Sequence, residues 1–204
     1  MSRAVNAVVF DLGGVLLDWD PRYLYRQLMA HDEVDDFLDE IDFASWNRVQ
    51  DSTSRPWALA VEELVAQHPH RRDLIAAYRQ RFRESIAGPI PGTVDILREL
   101  HQRKVRLFAL TNWSAETFAE TRGEFDFLGL FEGIVVSGEE EIAKPDPRVF
   151  RLVLDRYQLA ADATVLVDDS AANVAAAESV GLVALRFRDA DRLREDLVSL
   201  GLLS

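Results

Sequence analysis

The chain has 204 residues, of which 48% are hydrophobic and 28% are charged, so it can bury a core as one globular unit or as one domain with a smaller insert. Its net charge of −12 argues against a nucleic-acid partner, which would require a basic surface. The absence of cysteine excludes disulfides, cysteine nucleophiles and thiolate metal sites. The apolar runs are too short for a membrane helix and the first residues do not resemble a signal peptide, so we expect a cytoplasmic protein without a membrane partner.

Short apolar runs alternate with segments of helical periodicity along most of the chain. The runs are rich in β-branched residues and bounded by polar ones, which is typical of buried strands. The predicted strands are Ala7–Phe10, Arg106–Leu110, Gly133–Ser137, Thr164–Val167 and Val183–Phe187. The predicted helices of this part cover about 92–103, 114–122, 146–158, 170–180 and 189–200. The alternation predicts an α/β fold, a Rossmann-like parallel sheet with helices on both faces.

The region from Asp18 to Gly88 has no convincing strand and shows helical periodicity instead. Asp20-Pro21 is a typical helix start, because Asp caps the first turn and Pro fits within it. The predicted helices of this region are Pro21–Ala30, Val34–Ile41, about Pro56–Gln67 and Arg72–Ile86. We therefore predict a small helical cap domain over residues 18–88 and a core domain formed by residues 1–17 and 89–204. A separate helical layer of the same core is the alternative.

Polar residues stand at or just beyond the ends of several predicted strands. Asp11 follows the first strand, Thr111 follows the second, and Asp168 and Asp169 follow the fourth. Lys144 lies in a later loop that opens a helix. Ligands of open parallel sheets bind outside the carboxyl ends of the strands, so these side chains converge on one crevice if the strands are neighbours.

Three carboxylates at one crevice need more positive charge than one lysine supplies. Close carboxylates raise one another's pKa values unless a cation lies among them. Mg²⁺ prefers a few carboxylates together with carbonyls and waters, and it would supply the missing charge. Carboxylates around Mg²⁺, beside a lysine and a hydroxyl, indicate a phosphate-handling site.

The segments around these residues resemble those of a known family. They are Val8–Leu16, Leu107–Asn112, Ala143–Phe150 and Val165–Asn173, in this order along the chain. With these motifs the chain resembles the haloacid dehalogenase superfamily of hydrolases. The helical insert lies where that family carries its mobile cap.

The resemblance implies roles in catalysis and substrate binding. Asp11 would be the nucleophile that forms an aspartyl intermediate. Lys144 would neutralise charge on Asp11 and on the transferring group. Thr111 and the main-chain amide of Asn112 would bind that group. Trp113 comes directly after them and is our candidate for the wall of the pocket.

The resemblance also implies a Mg²⁺ site. Its ligands would be Asp11, the backbone carbonyl of Gly13, Asp168 and Asp169, directly or through water. Ser170 and Asn173 would support the loop that carries the last two.

Gly13 departs from the family's pattern. Phosphatases of the family usually carry a second Asp two residues after the nucleophile, which protonates the leaving oxygen and later activates water. Glycine has no side chain that can move a proton. Three explanations stay open: a leaving group that is already good, as in a sugar 1-phosphate or an acyl phosphate; a replacement acid such as Asp18, Asp20 or a cap residue; or a different reaction.

The favoured function is a Mg²⁺-dependent phosphatase that acts on a small phosphomonoester, a sugar phosphate being one candidate. One alternative is a 2-haloacid dehalogenase, which uses the same Asp nucleophile without metal and also lacks the second Asp. Such dehalogenases generally do not keep an acidic pair like Asp168-Asp169, and that pair beside Asp11 without a cation is electrostatically costly. The other alternative is a non-catalytic binding module on this scaffold.

Substrate selection is expected to come from the cap. Asn47 and Asp51 are candidates to face the crevice, whereas Trp46 is better explained as part of the cap's own core. Arginines crowd the later cap sequence, and pairing with surface acids explains them more simply than contact with substrate. These arginines are Arg71, Arg72, Arg79, Arg81 and Arg83.

Overall fold

A computed structural model describes residues 4–204, so residues 1–3 of the predicted core segment lie outside the described residues. The strands are β1 (Ala7–Phe10), β2 (Leu17–Trp19), β3 (Ile86–Pro89), β4 (Arg106–Thr111), β5 (Gly133–Val136), β6 (Thr164–Asp168) and β7 (Val183–Arg186). Five of them form a parallel sheet in the order β5-β4-β1-β6-β7. The predicted α/β fold is confirmed.

Helices cover both faces of this sheet. The helices of residues 4–204, including those of the segment between β2 and β3, are α1 (Pro21–Tyr25), α2 (Val34–Glu40), α3 (Phe43–Gln50), α4 (Trp57–Gln67), α5 (Arg72–Gln80), α6 (Thr93–Gln102), α7 (Ala115–Thr121), α8 (Ser137–Glu140), α9 (Pro147–Tyr157), α10 (Ala171–Ser179) and α11 (Ala190–Ser199). Side chains alternate along β1, with Val8 and Phe10 packing with α6 and α11 on one face, and Ala7 and Val9 packing with α9 and α10 on the other. None of the helices within residues 4–204 combines the length and the apolar character that crossing a bilayer requires.

The segment between β1 and α6 contains strands that the sequence pattern did not reveal. The β2 and β3 strands pair antiparallel, with Leu17 opposite Pro89 and Trp19 opposite Ile86. The expectation of no strand there is therefore wrong, because strands of three and four residues are too short to show a periodicity. Helices α1–α5 lie between these two strands in the chain, and the predicted boundaries of the cap fall within the pair.

The helices of this segment also differ from their predicted extents. The first ends at Tyr25 rather than Ala30, and α5 ends at Gln80 before a short 3₁₀ turn leads into β3. Helix α3 was not predicted, although its N-cap, Asp42, is a residue type that commonly begins helices. In the structure Asp42 has a left-handed φ of 46° and its side chain makes no cap hydrogen bond, so the usual cap does not hold this end.

Aromatic residues form the interior of the segment 18–88, which we call the cap. Tyr25, Phe37, Phe43 and Tyr78 are buried and pack edge to face or stacked, with ring centroids 4.8–6.4 Å apart. This cluster is continuous with the apolar face of the sheet that carries Val8 and Phe10. The division into a cap domain and a core domain stays a prediction.

Candidate active site

The central position of β1 brings the predicted residues together. It pairs with β4 on one side and β6 on the other, so Asp11, Thr111 and Asp168 stand at the carboxyl ends of three adjacent strands. The backbone N–H of Asp11 continues the ladder to Val167 O at 2.9 Å. Its Oδ1 atom accepts from the N–H of Leu12 at 2.7 Å, which fixes the carboxyl group over the strand ends.

Lys144 lies between two carboxylates in the interior. Its Nζ is 2.8 Å from Oδ2 of Asp11 and 2.7 Å from Oδ2 of Asp168. The side chains of Lys144 and Asp168 are 1% and 0% exposed, so water contributes little to solvating either charge. The ammonium group is thereby held beside the predicted nucleophile.

Asn112 holds the backbone of Lys144 through a pair of hydrogen bonds. Its Nδ2 donates to Lys144 O at 2.8 Å, and its Oδ1 accepts from Lys144 N at 2.9 Å. The Asn112 side chain therefore fixes a loop from the edge of the sheet against the strand ends. A contact between Asn112 and substrate, as predicted, would involve its main-chain amide rather than its side chain.

Asp168 is the most firmly held of the three carboxylates. Its Oδ1 accepts from the backbone N–H of Ser170 and from Nδ2 of Asn173, both at 2.9 Å, while Oδ2 contacts Lys144. Ser170 is the N-cap of α10. The geometry agrees with the supporting role expected of Ser170 and Asn173.

Gly14 makes room for Asp169. Its φ is +73°, and a Cβ at this position would lie 2.6 Å from Oδ2 of Asp169. Both the backbone conformation and the close approach require glycine. The sequence motif contains Gly14, but nothing in the sequence shows which carboxylate it faces.

Carboxylate oxygens of Asp11, Asp168 and Asp169 all lie within 4.8 Å of one another. With one lysine among them, the group carries two net negative charges when every carboxyl is ionised. Oxygen ligands converging in this way, with charge left over, suit a hard divalent cation such as Mg²⁺. The residues present thus fit the metal that the family implies.

The buried charges perturb one another. Burial raises the pKa of Asp11 to about 7, since the nearby ammonium of Lys144 offsets only part of the cost and the Asp168 and Asp169 charges add to it. Burial and the Asp168 charge also raise the pKa of Asp169. Burial lowers the pKa of Lys144, but Asp11 and Asp168 outweigh that effect and keep it above its ordinary value. Lys144 therefore stays charged.

A cavity of about 380 Å³ opens between these residues and the cap, within the usual size range of small-molecule sites. Asp168 lies behind its wall, in contact with Lys144. The predicted residues that line it are Asp11, Gly13, Thr111, Asn112, Trp113, Lys144 and Asp169. The residues that line it from the cap and its β2 entry are Leu17, Trp19, Asn47, Asp51, Tyr78 and Phe82.

Trp113 and Trp46 have different surroundings. Trp113 lines the cavity, and its ring packs against Phe82 with centroids 5.8 Å apart. Trp46 instead donates from Nε1 to Ala60 O at 3.2 Å and packs within the cap. The expected assignments of both tryptophans agree with this placement.

Four of the five cap arginines pair with acids on the surface, whereas Arg72 is exposed and makes no ion pair among the described residues. Arg79 contacts Glu116 and Glu120 of the core, and Arg83 contacts Glu124 at 2.5 Å. Arg71 and Arg81 make pairs within the cap. Within residues 4–204 no arginine lines the cavity, so the simpler explanation of these side chains is the better one.

Comparisons with known proteins agree with this geometry. The family model described as haloacid dehalogenase-like hydrolase matches residues 5–181. A sesquiterpene phosphatase of Aspergillus oryzae is 30% identical over 191 residues, which cover 93% of each chain. A phosphorylated carbohydrates phosphatase of Thermotoga maritima is 23% identical over 197 residues, covering 87% of this chain and 82% of the relative.

Solved structures share the fold. A haloacid dehalogenase (HAD) family enzyme from Bacteroides thetaiotaomicron matches with a TM-score of 0.73 at 17% identity, over 92% of this chain and 95% of that one. The same enzyme in complex with magnesium and inorganic phosphate matches with a TM-score of 0.66 at 19% identity, over 91% and 95%. The motifs, the sheet order and the family model together show that this protein is an enzyme of the haloacid dehalogenase-like hydrolase family.

Proposed function

We propose that the protein is a Mg²⁺-dependent phosphatase that hydrolyses a small phosphomonoester through an aspartyl phosphate at Asp11. The observation that carries the proposal is the group of three carboxylates around one buried lysine, which retains two negative charges. Asp11, the carbonyl of Gly13, Asp168 and Asp169 would hold Mg²⁺. When bound, the cation would supply positive charge that stabilises the transferring phosphoryl group. The phosphatase relatives support the same reaction class.

The residues of the site account for the chemistry of phosphoryl transfer. The Asp11 carboxylate attacks phosphorus, forming an O–P bond while the bond to the leaving oxygen breaks. Thr111 lines the cavity beside Asp11 and binds a phosphoryl oxygen, while the charge of Lys144 lowers the pKa of Asp11 and so favours its ionised form. Water then attacks phosphorus of the aspartyl phosphate, releasing inorganic phosphate and restoring Asp11.

The cavity wall indicates the kind of organic group that the phosphate carries. Trp19, Phe82, Trp113 and Leu17 give it a largely apolar surface. Lys144 is the one cation among the described residues that line it, and it already contacts Asp11 and Asp168. We therefore infer an uncharged and largely apolar organic group. The relative named as a sesquiterpene phosphatase supports this inference.

The same wall disfavours a 2-haloacid. Such a substrate would bring its own carboxylate into a site that already carries three, and a metal-free dehalogenase has no cation in the described lining free to pair with it, whereas Mg²⁺ would pair with a phosphate. Desolvating an unpaired carboxylate is costly. Phosphate transfer is therefore the better candidate.

The test is hydrolysis of para-nitrophenyl phosphate with and without Mg²⁺, with chloride release from 2-chloropropionate followed in parallel. We expect phosphate release that requires Mg²⁺ and is lost in Asp11→Asn. Lys104→Met removes an exposed charge outside the cavity and should retain activity. Chloride release without metal, or full activity of Asp11→Asn, would overturn the proposal.

A further inference from the structure

We propose that Asp51 of the cap supplies the proton that the leaving oxygen requires, in place of the acid that is missing at Gly13. The proposal rests on the phosphatase function argued above. It assigns a second catalytic carboxyl group, on a different part of the chain from the first. It also makes proton transfer depend on the position of the cap.

Asp51 belongs to the cap, and a hydrogen bond ties its backbone to the core beside the cavity. It follows the last residue of α3 and lines the cavity together with Asp11. The backbone carbonyl of Asp51 accepts a hydrogen bond from Oγ of Ser137. Oγ of Ser137 in turn accepts a hydrogen bond from the N–H of Trp113 at 3.0 Å. One core hydroxyl thus joins Asp51 to the loop that follows Thr111.

Two neutral side chains orient the Asp51 carboxyl group. Nδ2 of Asn47 donates to Oδ2 of Asp51 at 2.8 Å, and the hydroxyl of Tyr78 donates to Oδ1 of Asn47 at 3.1 Å. This chain fixes Oδ2 of Asp51 at the wall of the cavity. No cation contacts the group among the described residues, so its carboxylate form is favoured only by the hydrogen bonds from Asn47 and Ser114.

The environment of Asp51 suits a proton donor. Burial raises the pKa of Asp51 to about 8, while the backbone N–H of Ser114 lowers it in part. A carboxyl group in this state carries its proton at neutral pH, as a general acid must.

The other acids near the cavity are directed elsewhere. Along β2, Leu17 and Trp19 line the cavity, so the alternating Asp18 points away and accepts from the hydroxyl of Tyr23 at 2.9 Å. Asp20 is the N-cap of α1 and accepts from the N–H of Arg22. Among the described residues, three carboxyl groups line the cavity: the nucleophile Asp11, the proposed Mg²⁺ ligand Asp169, and Asp51. Asp51 is therefore the one that is left to act as the acid.

In-line attack places the leaving oxygen on the face of phosphorus opposite the nucleophile. Asp11 belongs to the core side, so the leaving oxygen faces the cap, where Asp51 lies. As the bond from phosphorus to the leaving oxygen breaks, the proton of Asp51 passes to that oxygen and the alcohol departs. The resulting Asp51 carboxylate takes a proton from the water that attacks the aspartyl phosphate, which restores the acid.

The test compares two substrates with leaving groups of different acidity. Para-nitrophenolate leaves without a proton, whereas the alkoxide of n-hexyl phosphate needs one. With Asp51→Asn we expect kcat/KM for para-nitrophenyl phosphate within about threefold of wild type and kcat/KM for n-hexyl phosphate lowered ~10²–10⁴-fold, the usual contribution of a general acid. The comparison uses kcat/KM because it reports the steps up to departure of the leaving group and excludes the later hydrolysis of the aspartyl phosphate, in which Asp51 also takes part. Asp18→Asn is the matched control and should leave both rates unchanged.

Gly13 offers a rescue. A Cβ at this position meets nothing within 4 Å, so a side chain can begin there without a clash. Adding Gly13→Asp to Asp51→Asn should restore much of the lost rate on n-hexyl phosphate, because it places an acid where the family usually has one. A purely structural role of Asp51 would not be rescued in this way.

The outcomes separate this inference from the function on which it rests. Failure of the wild-type protein to hydrolyse para-nitrophenyl phosphate with Mg²⁺ would remove the phosphatase function itself. If the wild type is active, equal losses on both substrates in Asp51→Asn, or no loss on n-hexyl phosphate, would overturn the role of Asp51.

Discussion

Replacing Lys144 by Met should cost a large part of the protein's stability. The ammonium group is buried and lies 2.8 and 2.7 Å from the carboxylates of Asp11 and Asp168. Met retains most of the side-chain volume, so the loss reports on charge rather than on a cavity. Removing one partner of a buried ion pair leaves the other charge uncompensated and typically costs ~3–5 kcal/mol. Here a single change leaves two carboxylates without their counter-charge.

Urea unfolding at about pH 7.5 without divalent cations measures this cost as the difference in free energy of unfolding. Lys104→Met is the matched control, because Lys104 is the chain's other lysine and is exposed. Its left-handed φ of 62° is equally unfavourable for Lys and Met, so the control should stay within about 0.5 kcal/mol of wild type.

The pH dependence provides a second check. In the Lys144→Met protein the pKa of Asp11 should rise further, since the ammonium that lowers it is gone. Protonation then removes the uncompensated charge, so the deficit should shrink as the pH falls. In wild type the pKa of Lys144 is raised by folding, so the contribution of its charge to stability is complete below the ordinary pKa of lysine. This contribution is lost only as the pH rises above that range. A deficit below about 1 kcal/mol at about pH 7.5 would refute the reasoning.

Further predictions concern the carboxylates, Gly14 and the cap. Asp169→Asn should raise the metal-free Tm, because it removes a carboxyl whose pKa is raised, and it should abolish most of the Tm increase caused by Mg²⁺. Gly14→Ala should weaken Mg²⁺ binding and cost at least ~1 kcal/mol in urea unfolding, since the new Cβ meets Asp169 at a left-handed φ; unchanged binding would contradict the close approach. The pKa of Asp51 is raised to about 8, so its protonated form stabilises the fold at low pH and this contribution is lost as the pH rises through that value. Asp51→Asn should therefore gain stability over wild type as the pH rises from about 5 to about 8, and a constant difference would argue against the raised pKa. Gln50→Met should raise the free energy of unfolding by about 1 kcal/mol, because the buried Gln50 amide has no hydrogen-bond partner among the described residues. A lower free energy of unfolding in urea would show that the amide does form hydrogen bonds.

The convergence of Asp11, Thr111 and Asp168 was predictable because it follows from the architecture. In a parallel sheet the carboxyl ends of all strands meet at one edge, so residues that follow adjacent strands approach one another whatever their separation in the chain. Strand periodicity and strand-end acids are both visible in sequence. The fold class and the position of the crevice required nothing further.

Contacts that depend on how loops fold back were not predictable. The clamp between Asn112 and Lys144 joins residues 32 positions apart through paired side-chain and backbone atoms, and no local pattern marks it. The approach of Gly14 to Asp169 likewise depends on packing between two loops. Asp51 was recognised only as a residue that would face the crevice, because its burial and its link to Ser137 are tertiary features.

The short elements of the cap were missed for a related reason. The β2 and β3 strands are stabilised by pairing with each other, so neither has a strong signal of its own. Helix α3 begins at a left-handed Asp42 instead of at a capping side chain. Tertiary packing of the aromatic cluster overrides weak local preference in this segment.

The covalent role of Asp11 is the central claim, and hydroxylamine trapping tests it most directly. Hydroxylamine attacks the carbonyl carbon of an acyl phosphate, releasing phosphate and leaving a stable hydroxamate on the side chain. During turnover of para-nitrophenyl phosphate with Mg²⁺, peptide mass spectrometry should find a hydroxamate that accumulates on Asp11 and is absent without substrate. Sustained turnover in hydroxylamine with Asp11 unmodified, or with the hydroxamate on another residue, would contradict the account.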